Sequence, residues 1–220
     1  MSLREKSKQE NRQKILKAAK SLLRKGGIST LSMRELANKA QVSSRTPYNL
    51  FGSKTDILIA LMDQPIHDLT GEISELSADS TVLLTFELFD KIYEKYLPEE
   101  PYYREIYWGI MSSEHKESRS LALHTVKTFV APMLANAIER GELDKKLNQK
   151  AFTSHFVIAQ AAIVGMWAAS QVTADELLIQ LKYSICVLYL SASTKKSKPE
   201  LIKQLALVTE DLAAYTKQSS

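Results

Sequence analysis

The sequence predicts an all-α protein, and three observations carry this prediction. Only seven glycines and six prolines occur among the 220 residues, too few for the turns, about one per 8–12 residues, that a many-stranded sandwich or barrel requires. Apolar residues recur three and four positions apart along most of the chain, which is helical spacing. Residues 32–35 and 173–176 each match the capping box that begins a helix.

The first 60 residues predict three short helices. The first ends at the glycine pair 26–27, because glycine adopts the left-handed conformation that closes a helix. Ser32 caps the second helix. Ser43 or Ser44 caps the third, which extends to about Phe51.

The remaining helices follow from capping residues and apolar spacing. A fourth helix begins with Ser53 as its cap, and Pro65 predicts a kink or break near 63–64. The later helices are predicted over 80–97, 101–112, 116–140, 148–171, 174–192 and 200–216. The basic stretch 195–199 is expected to be a short linker before the last helix.

The net charge of +4 is unevenly distributed along the chain. Residues 1–60 hold 13 Lys and Arg against 4 Asp and Glu, a net charge of +9, whereas residues 61–220 hold 16 against 21, a net charge of −5. A basic N-terminal part on an acidic body indicates that only the first part contacts a polyanion. From charge alone, a basic stretch that serves solubility remains the alternative.

The three short helices have the arrangement of a helix-turn-helix unit, because a three-residue turn separates the second from the third. Ala37 is small enough to let the helices cross closely. The outward positions of the third helix hold hydrogen-bonding side chains without an acid: Ser44, Arg45, Thr46, Tyr48 and Asn49. Arginine suits guanine O6 and N7, asparagine suits adenine N6 and N7, and hydroxyls suit phosphate oxygens. The unit is therefore predicted to bind duplex DNA.

Residues 10–60 also match a family signature nearly position by position. Its residues here are Arg12, Ile15, Leu16, Ala18, Ala19, Gly27, Ser32, Met33, Arg34, Glu35, Leu36, Ala37, Ala40, Val42, Ser43, Tyr48, Phe51, Ser53 and Lys54. With them the chain resembles the TetR family of bacterial transcriptional regulators. The resemblance implies a helix-turn-helix DNA-binding domain over residues 1–54 and a helical effector-binding and dimerisation domain over residues 55–220.

The resemblance further implies which residues contact DNA. Phosphate contacts fall on Ser32, Arg34, Tyr48 and Lys54, base-edge contacts fall on Ser44, Arg45 and Asn49, and Ser43 and Thr46 complete the predicted set. For some of these residues a structural role is the alternative. Tyr48 could be a core aromatic, Arg45 a solvated surface charge and Ser32 chiefly a helix cap. Lys54 at a helix N-terminus is unfavourable unless an anion lies there.

Three positions depart from the family pattern. Gln41 stands where the family commonly has glycine, so a left-handed turn residue would cost up to ~1 kcal/mol. Pro47 replaces a usual aliphatic residue, which leaves the pitch of the third helix open. Leu50 replaces a frequent histidine that contacts phosphate.

Eight of the seventeen aromatic residues lie between residues 86 and 108. Aromatic side chains with polar tips can line a mostly apolar cavity for a small apolar or aromatic effector. The predicted lining, with two histidines as hydrogen-bond partners, is Phe89, Tyr93, Tyr103, Tyr107, His124 and His155. Core packing is the alternative for each aromatic residue, and a core or surface position is the alternative for each histidine.

Two predicted helices, about 148–171 and 174–192, are apolar nearly all round. A helix that is apolar on every side is either central in a fold or shared with a partner. The alanines and glycine of the first helix permit close approach. Together with the resemblance, this pattern predicts a homodimer through these two helices.

The predicted function is that of a ligand-responsive, sequence-specific transcriptional regulator, a repressor that binds a palindromic DNA operator as a dimer. Two alternatives are an architectural or chromosome-organising DNA-binding protein without effector control, and an α-helical enzyme with an incidental basic N-terminus. No HExxH motif or glycine-rich phosphate loop occurs, so we expect no enzyme, cofactor or metal site. A single cysteine, no 18-residue apolar run and no apolar leader predict a bacterial cytoplasmic protein without membrane contact.

Overall fold

The computed structural model describes the backbone of residues 2–73, 80–112 and 130–218 and the side chains of residues 2–64, 80–112 and 130–216. Within these ranges the all-α prediction is confirmed. The helices are α1 Leu3–Gly26, α2 Met33–Ala40, α3 Thr46–Phe51, α4 Lys54–Ile73, α5 Thr81–Tyr96, α6 Glu100–Met111, α7 over 130–139, α8 Gln149–Ala168, α9 Ala174–Ala192 and α10 Lys198–Gln218. Two short 3-10 turns, Ile28–Thr30 and Leu97–Glu99, follow α1 and α5.

The ends of the helices follow the glycine and hydroxyl residues of the sequence. Gly27 closes α1 at a φ of 67°, and Gly141 follows α7 at a φ of 71°. The Ser32 hydroxyl accepts a hydrogen bond of 3.1 Å from the main-chain N–H of Glu35, and the Thr173 side chain caps α9 in the same way. These caps satisfy N–H groups that a helix cannot bond internally.

The start of α3 differs from its prediction. The helix begins at Thr46 with Arg45 at the cap position and no side-chain cap, so the predicted cap at Ser43 or Ser44 is wrong. Arg45 already has helical dihedrals (φ −83°, ψ −20°), and the Thr46 N–H donates to the Ser43 carbonyl oxygen at 2.9 Å, so a hydrogen-bonded turn leads directly into the helix. The Ser43 hydroxyl instead lies 2.8 Å from the Thr46 hydroxyl.

Two later boundaries also differ. Helix α4 is continuous from Lys54 to Ile73, so a break near 63–64 is wrong, while a kink there stays a prediction. A proline lacks one N–H group, and a helix can keep its hydrogen bonds on either side of it. Helix α10 begins at Lys198, so the predicted linker 195–199 is shorter than expected.

The chain divides into two compact units. Unit 1 comprises Met1–Gln64 and Glu99–Ala122, and unit 2 comprises Pro65–Pro98 and Leu123–Ser220. Helix α6 therefore groups with the N-terminal helices, whereas the sequence placed it in the domain that follows residue 54. The division of roles between residues 1–54 and 55–220 stays a prediction.

The core of unit 1 is apolar and draws on α1, α2, α4 and α6. Its fully buried side chains include Ile15, Leu36, Ile57, Leu58, Ile106 and Ile110. Each such burial contributes roughly 1.5–3 kcal/mol to folding. Since α1 packs against both α2 and α3, this core fixes the two helices of the helix-turn-helix unit.

The core of unit 2 forms around α9, which packs against α5, α8 and α10. Tyr189 of α9 is fully buried and stacks on Phe152 of α8 with ring centres 5.9 Å apart. Its hydroxyl lies 3.1 Å from the Thr85 hydroxyl of α5. These contacts join three helices at one aromatic residue.

A buried acid closes one end of unit 2. Glu142 is 1% exposed, and its carboxylate accepts hydrogen bonds from the main-chain N–H groups of Thr81 (3.1 Å) and Val82 (3.0 Å). Arg140 Nε pairs with the same carboxylate at 3.1 Å. Because the first N–H groups of a helix lack internal partners, Glu142 caps α5 from the turn after α7.

Helix α8 is long and apolar enough to cross a membrane by length and composition alone, with a mean hydropathy of 1.4. One stripe of it, which includes Phe152, Phe156 and Val157, is buried inside unit 2. Packing thus accounts for part of its apolar character. Ile158 and Met166 remain exposed on the other side.

Candidate nucleic-acid interface

The position of α3 depends on Arg12 of α1. The guanidinium carbon lies 4.2 Å from the centre of the Phe51 ring, and Nη1 donates to the Leu50 carbonyl oxygen at 3.2 Å. A helix leaves its last carbonyl groups without internal partners, and a cation there is favourable. Arg12 therefore secures the C-terminal end of α3. The sequence singled it out only as a signature residue.

The turn between α2 and α3 tolerates two departures from the family pattern. Gln41 adopts the left-handed conformation (φ 55°, ψ 46°) that the sequence expected at this turn. The next N–H, of Val42, donates to the Ala37 carbonyl at 3.0 Å, which closes α2. Pro47 is buried in the first turn of α3, where the missing N–H costs little.

Most of the side chains that were predicted to contact DNA are exposed, and this set is here called the recognition surface. It consists of Arg34, Ser43, Ser44, Arg45, Thr46, Tyr48 and Asn49, of which all but the half-buried Thr46 are exposed. Tyr48 is 57% exposed, whereas the nearby Phe51 is half-buried beneath Arg12. The alternative role of Tyr48 as a core aromatic is therefore wrong. Ser32 caps α2 at the start of this surface.

Lys54, the predicted phosphate anchor, already has a partner within unit 1. Its side chain is half-buried, and Nζ donates to the Ile28 carbonyl oxygen at 2.8 Å. Burial lowers the pKa of Lys54 below its usual value. Beside it, the Ser53 hydroxyl accepts from the Asp56 N–H at 3.1 Å and caps α4, as the sequence predicted.

The outer side of α1 carries a basic surface depression of about 560 Å³, lined by Lys17, Lys20, Ser21, Arg24 and Lys25. Glu99 pairs with Lys20 at 3.2 Å and with Arg24. Burial by itself would raise the pKa of Glu99, but hydrogen bonds from Arg24 and Lys20 outweigh it and lower the pKa. Part of the basic charge of α1 is thus balanced inside unit 1.

The predicted effector residues lie in both units. Phe89 and Tyr93 belong to unit 2, where Phe89 packs edge-on against Phe156 with ring centres 6.4 Å apart and Tyr93 donates to Asp175 at 3.0 Å. Tyr103 and Tyr107 lie on α6 in unit 1, buried and half-buried respectively. Burial raises the pKa of Tyr107.

The two predicted histidines stay predictions as effector contacts. His155 is exposed on α8, and His124 lies outside the described residues. The sequence missed Gln160, a 5% exposed residue of α8. Its Nε2 donates to the Ser184 hydroxyl at 3.4 Å, and its Oε1 has no hydrogen-bond partner in the described part of the chain. The signal that could have identified Gln160 is its position as a polar residue within an apolar stretch of the sequence.

The two helices predicted to dimerise carry exposed apolar side chains. On α8 these are Ile158 (63% exposed) and Met166 (45%), and on α9 they are Val187 (47%) and Tyr183 (36%). Each helix also buries a stripe within unit 2. Apolar residues on both sides of a helix favour a second packing partner.

Comparison with known proteins places this geometry among bacterial regulators. Residues 15–61 match the family model described as bacterial regulatory proteins, tetR family. The chain is similar to the HTH-type transcriptional regulator SAR0097 of Staphylococcus aureus, at 30% identity over 152 residues that cover 66% of this chain and 80% of that protein.

Solved structures share the fold at lower identity. FadR of Thermus thermophilus, a TetR-family transcriptional repressor solved in complex with lauroyl-CoA, aligns at a TM-score of 0.68 and 20% identity over 80% of this chain and 92% of that one. SmeT, the repressor of the Stenotrophomonas maltophilia multidrug efflux pump SmeDEF, aligns at a TM-score of 0.60 and 15% identity over 84% and 91%. These two likenesses support the all-α fold of the chain.

Proposed function

The chain belongs to the TetR family of bacterial transcriptional regulators, and from this premise we propose that it is a cytoplasmic repressor. In this proposal a homodimer binds a palindromic operator and releases it when a small effector binds. The observation that carries the proposal is the recognition surface, where exposed hydrogen-bonding side chains of α2, α3 and the turn between them lie on a part of the chain with a net charge of +9.

The recognition surface, together with the nearby Ser32 and Lys54, supports a division of roles between base contacts and phosphate contacts. Arg45 and Asn49 are exposed near the start and middle of α3, and their side chains match base edges in the major groove. Ser44 joins them as a base-edge contact. Phosphate contacts go to Ser32, Arg34, Ser43, Thr46, Tyr48 and Lys54.

A dimer follows from the exposed apolar residues of α8 and α9. Two copies of such a surface, related by a two-fold axis, would cover them against each other. A two-fold dimer presents two copies of α3, so its operator has two half-sites related by inversion, about one helical turn apart or a multiple of it.

The effector in this proposal is a small, mostly apolar molecule with a hydrogen-bonding group. The packing of Phe89 on Phe156 and the unpaired amide oxygen of Gln160 in unit 2 support an apolar site with a polar contact. Lauroyl-CoA is the ligand of one relative of similar fold, and multidrug efflux is the system controlled by another. An effector that favours the DNA-free state must lower DNA affinity by the same factor by which DNA lowers its own affinity.

Selection of duplexes from a random-sequence pool by the purified protein tests this proposal. We expect an enriched inverted repeat, bound with two chains per duplex as measured by light scattering of the complex. Recovery of unrelated sequences with equal affinity would contradict a sequence-specific regulator and favour an architectural DNA-binding role.

A further inference from the structure

Ile28 is held at both of its main-chain polar groups by side chains of opposite charge. Its N–H donates to Oε2 of Glu105 at 2.7 Å, and its carbonyl oxygen accepts from Nζ of Lys54 at 2.8 Å. Ile28 begins the 3-10 turn between α1 and α2. An acid on α6 and a base on α4 therefore reinforce the turn between α1 and α2, whose own hydrogen bond runs from the Leu31 N–H to the same carbonyl at 3.2 Å.

The fit of α6 against this turn depends on Gly109. A Cβ atom at position 109 would lie 1.9 Å from Cδ1 of Ile28 and 2.9 Å from Cδ1 of Leu58. Gly27 fits similarly, since a Cβ there would lie 2.6 Å from Oε2 of Glu105. Two glycines thus let α6 approach the turn closely enough for Glu105 to reach the N–H of Ile28.

The Ile28 carbonyl sets the position of the Lys54 ammonium group. An ammonium group has three donors, and this bond uses one of them. The charged group is half-buried at the first residue of α4, and its burial disfavours the charged form. A lysine held in this way loses less side-chain freedom when it binds a phosphate than a lysine that moves freely in water.

We propose that Glu105 is a positioning residue for operator binding, which holds the Ile28 turn so that its carbonyl aims the Lys54 ammonium group at a DNA phosphate. Glu105 itself does not contact DNA in this arrangement. The inference rests on the proposed phosphate role of Lys54 and adds to it a residue on α6, 51 positions away in the sequence, on which that role depends.

Two substitutions of Glu105 separate its charge from its hydrogen bond. Glu105→Gln removes a negative charge but keeps an oxygen that accepts from the Ile28 N–H, so operator affinity is expected to equal or exceed that of the wild type. Glu105→Asp keeps the charge but shortens the side chain, so affinity is expected to fall about tenfold. Charge repulsion from DNA alone would leave the affinity of Glu105→Asp equal to that of the wild type, because the charge is kept, so the comparison of these two proteins decides between the explanations. Affinities are measured by fluorescence anisotropy on a duplex selected with the wild-type protein.

Glu105→Ala and Glu100→Ala form a matched pair on α6. Both remove one negative charge, and Glu100 pairs with Arg104 one turn away. We expect weaker binding only for Glu105→Ala, together with a slope of log affinity against log salt that is shallower by about 1, as for one lost phosphate contact. All variants are compared at a temperature at which circular dichroism shows them folded. A lower melting temperature with unchanged affinity and salt slope would reduce Glu105 to a structural residue and overturn the proposal.

Lys54→Met separates failure of this inference from failure of the proposed function. If Glu105 acts through Lys54, the double variant Glu105→Ala/Lys54→Met should bind as weakly as Lys54→Met alone, because the two losses are not additive. Unchanged affinity in Lys54→Met would refute the phosphate contact itself. Weaker binding in Lys54→Met with unchanged binding in Glu105→Asp and Glu105→Ala would refute only the positioning role.

Discussion

The guanidinium group of Arg12 lies over the ring of Phe51, 4.2 Å from its centre, and so couples the first helix of unit 1 to the last residue of α3. The same group donates to the Leu50 carbonyl oxygen. A planar guanidinium can stack and donate at once, whereas an ammonium cannot do both with the same geometry. The orientation of α3 therefore depends on a residue of α1, outside α2 and α3.

Arg12→Ala is expected to lower the free energy of unfolding of the DNA-free protein by about 1–2 kcal/mol, from the lost cation–π contact and hydrogen bond. Arg12→Lys should recover only part of this loss. Urea denaturation followed by circular dichroism measures both. Arg4→Ala, a change at an exposed residue of the same helix, is the control. Equal stability of Arg12→Ala and Arg4→Ala would show that Arg12 does not secure α3.

Glu142→Ala is expected to destabilise the protein by about 3 kcal/mol, because the main-chain N–H groups at the start of α5 lose buried hydrogen bonds. Glu139→Ala, at an exposed position nearby, should change stability by no more than about 0.5 kcal/mol. Thermal denaturation compares the two. A similar effect of both substitutions would contradict the capping role of Glu142.

Burial raises the pKa of Tyr189 to about 12, whereas a tyrosine in an unfolded chain titrates near pH ~10. Between these values the unfolded state gives up the proton and the folded state keeps it, so stability is lost as the pH rises from about 10 to about 12. At pH 7, Tyr189→Phe should lower the free energy of unfolding by about 1 kcal/mol, because the hydrogen bond to Thr85 is lost. Above pH ~10, the stability of this variant should fall less steeply with pH than that of the wild type.

Urea denaturation at several pH values measures the alkaline slope of Tyr189→Phe and of the wild type. Tyr183→Phe, which removes a hydroxyl from an exposed residue of the same helix, is the matched control. Parallel pH profiles for the wild type and Tyr189→Phe would contradict the assignment of this slope to Tyr189.

Ile158→Glu and Val187→Glu are expected to convert the protein from dimer to monomer, since each would bury an unpaired charge in the proposed interface. Both residues are exposed in the single chain, so the monomer should stay folded. Ile202→Glu, at an exposed apolar residue of α10, should remain dimeric. Light scattering at micromolar concentration distinguishes these states, and a monomeric wild type would refute the dimer.

Local signals in the sequence predicted the helix-turn-helix unit well. Glycine at position 27, the Ser32 cap and the left-handed Gln41 each act through residues within one turn, so the short pattern contains the information. The exposed position of Tyr48 could be determined only from the structure. Its spacing from Phe51 allowed either aromatic to be buried, and the cation–π contact of Arg12 falls on Phe51.

Contacts between residues far apart in the chain could not be predicted from the sequence. Glu142 accepts a hydrogen bond from the Thr81 N–H, 61 residues away, and Glu105 accepts one from the Ile28 N–H, 77 residues away. No local sequence pattern marks such pairs. The aromatic cluster shows the same limit. Tyr93 and Tyr103 are close in sequence, but Tyr93 belongs to unit 2 and Tyr103 belongs to unit 1. Periodicity predicts that such residues are buried, but it does not predict which partners they meet.

The most direct test of the central claim, that the recognition surface reads the operator, is selection of random duplexes by the wild type and by Arg45→Ala in parallel. We expect the variant to lose its preference at one base pair in each half-site and to bind the wild-type operator more weakly by ~1–3 kcal/mol. Lys145→Ala, at an exposed residue of unit 2, should select the wild-type sequence. An unchanged selected sequence and unchanged affinity for Arg45→Ala would contradict the claim.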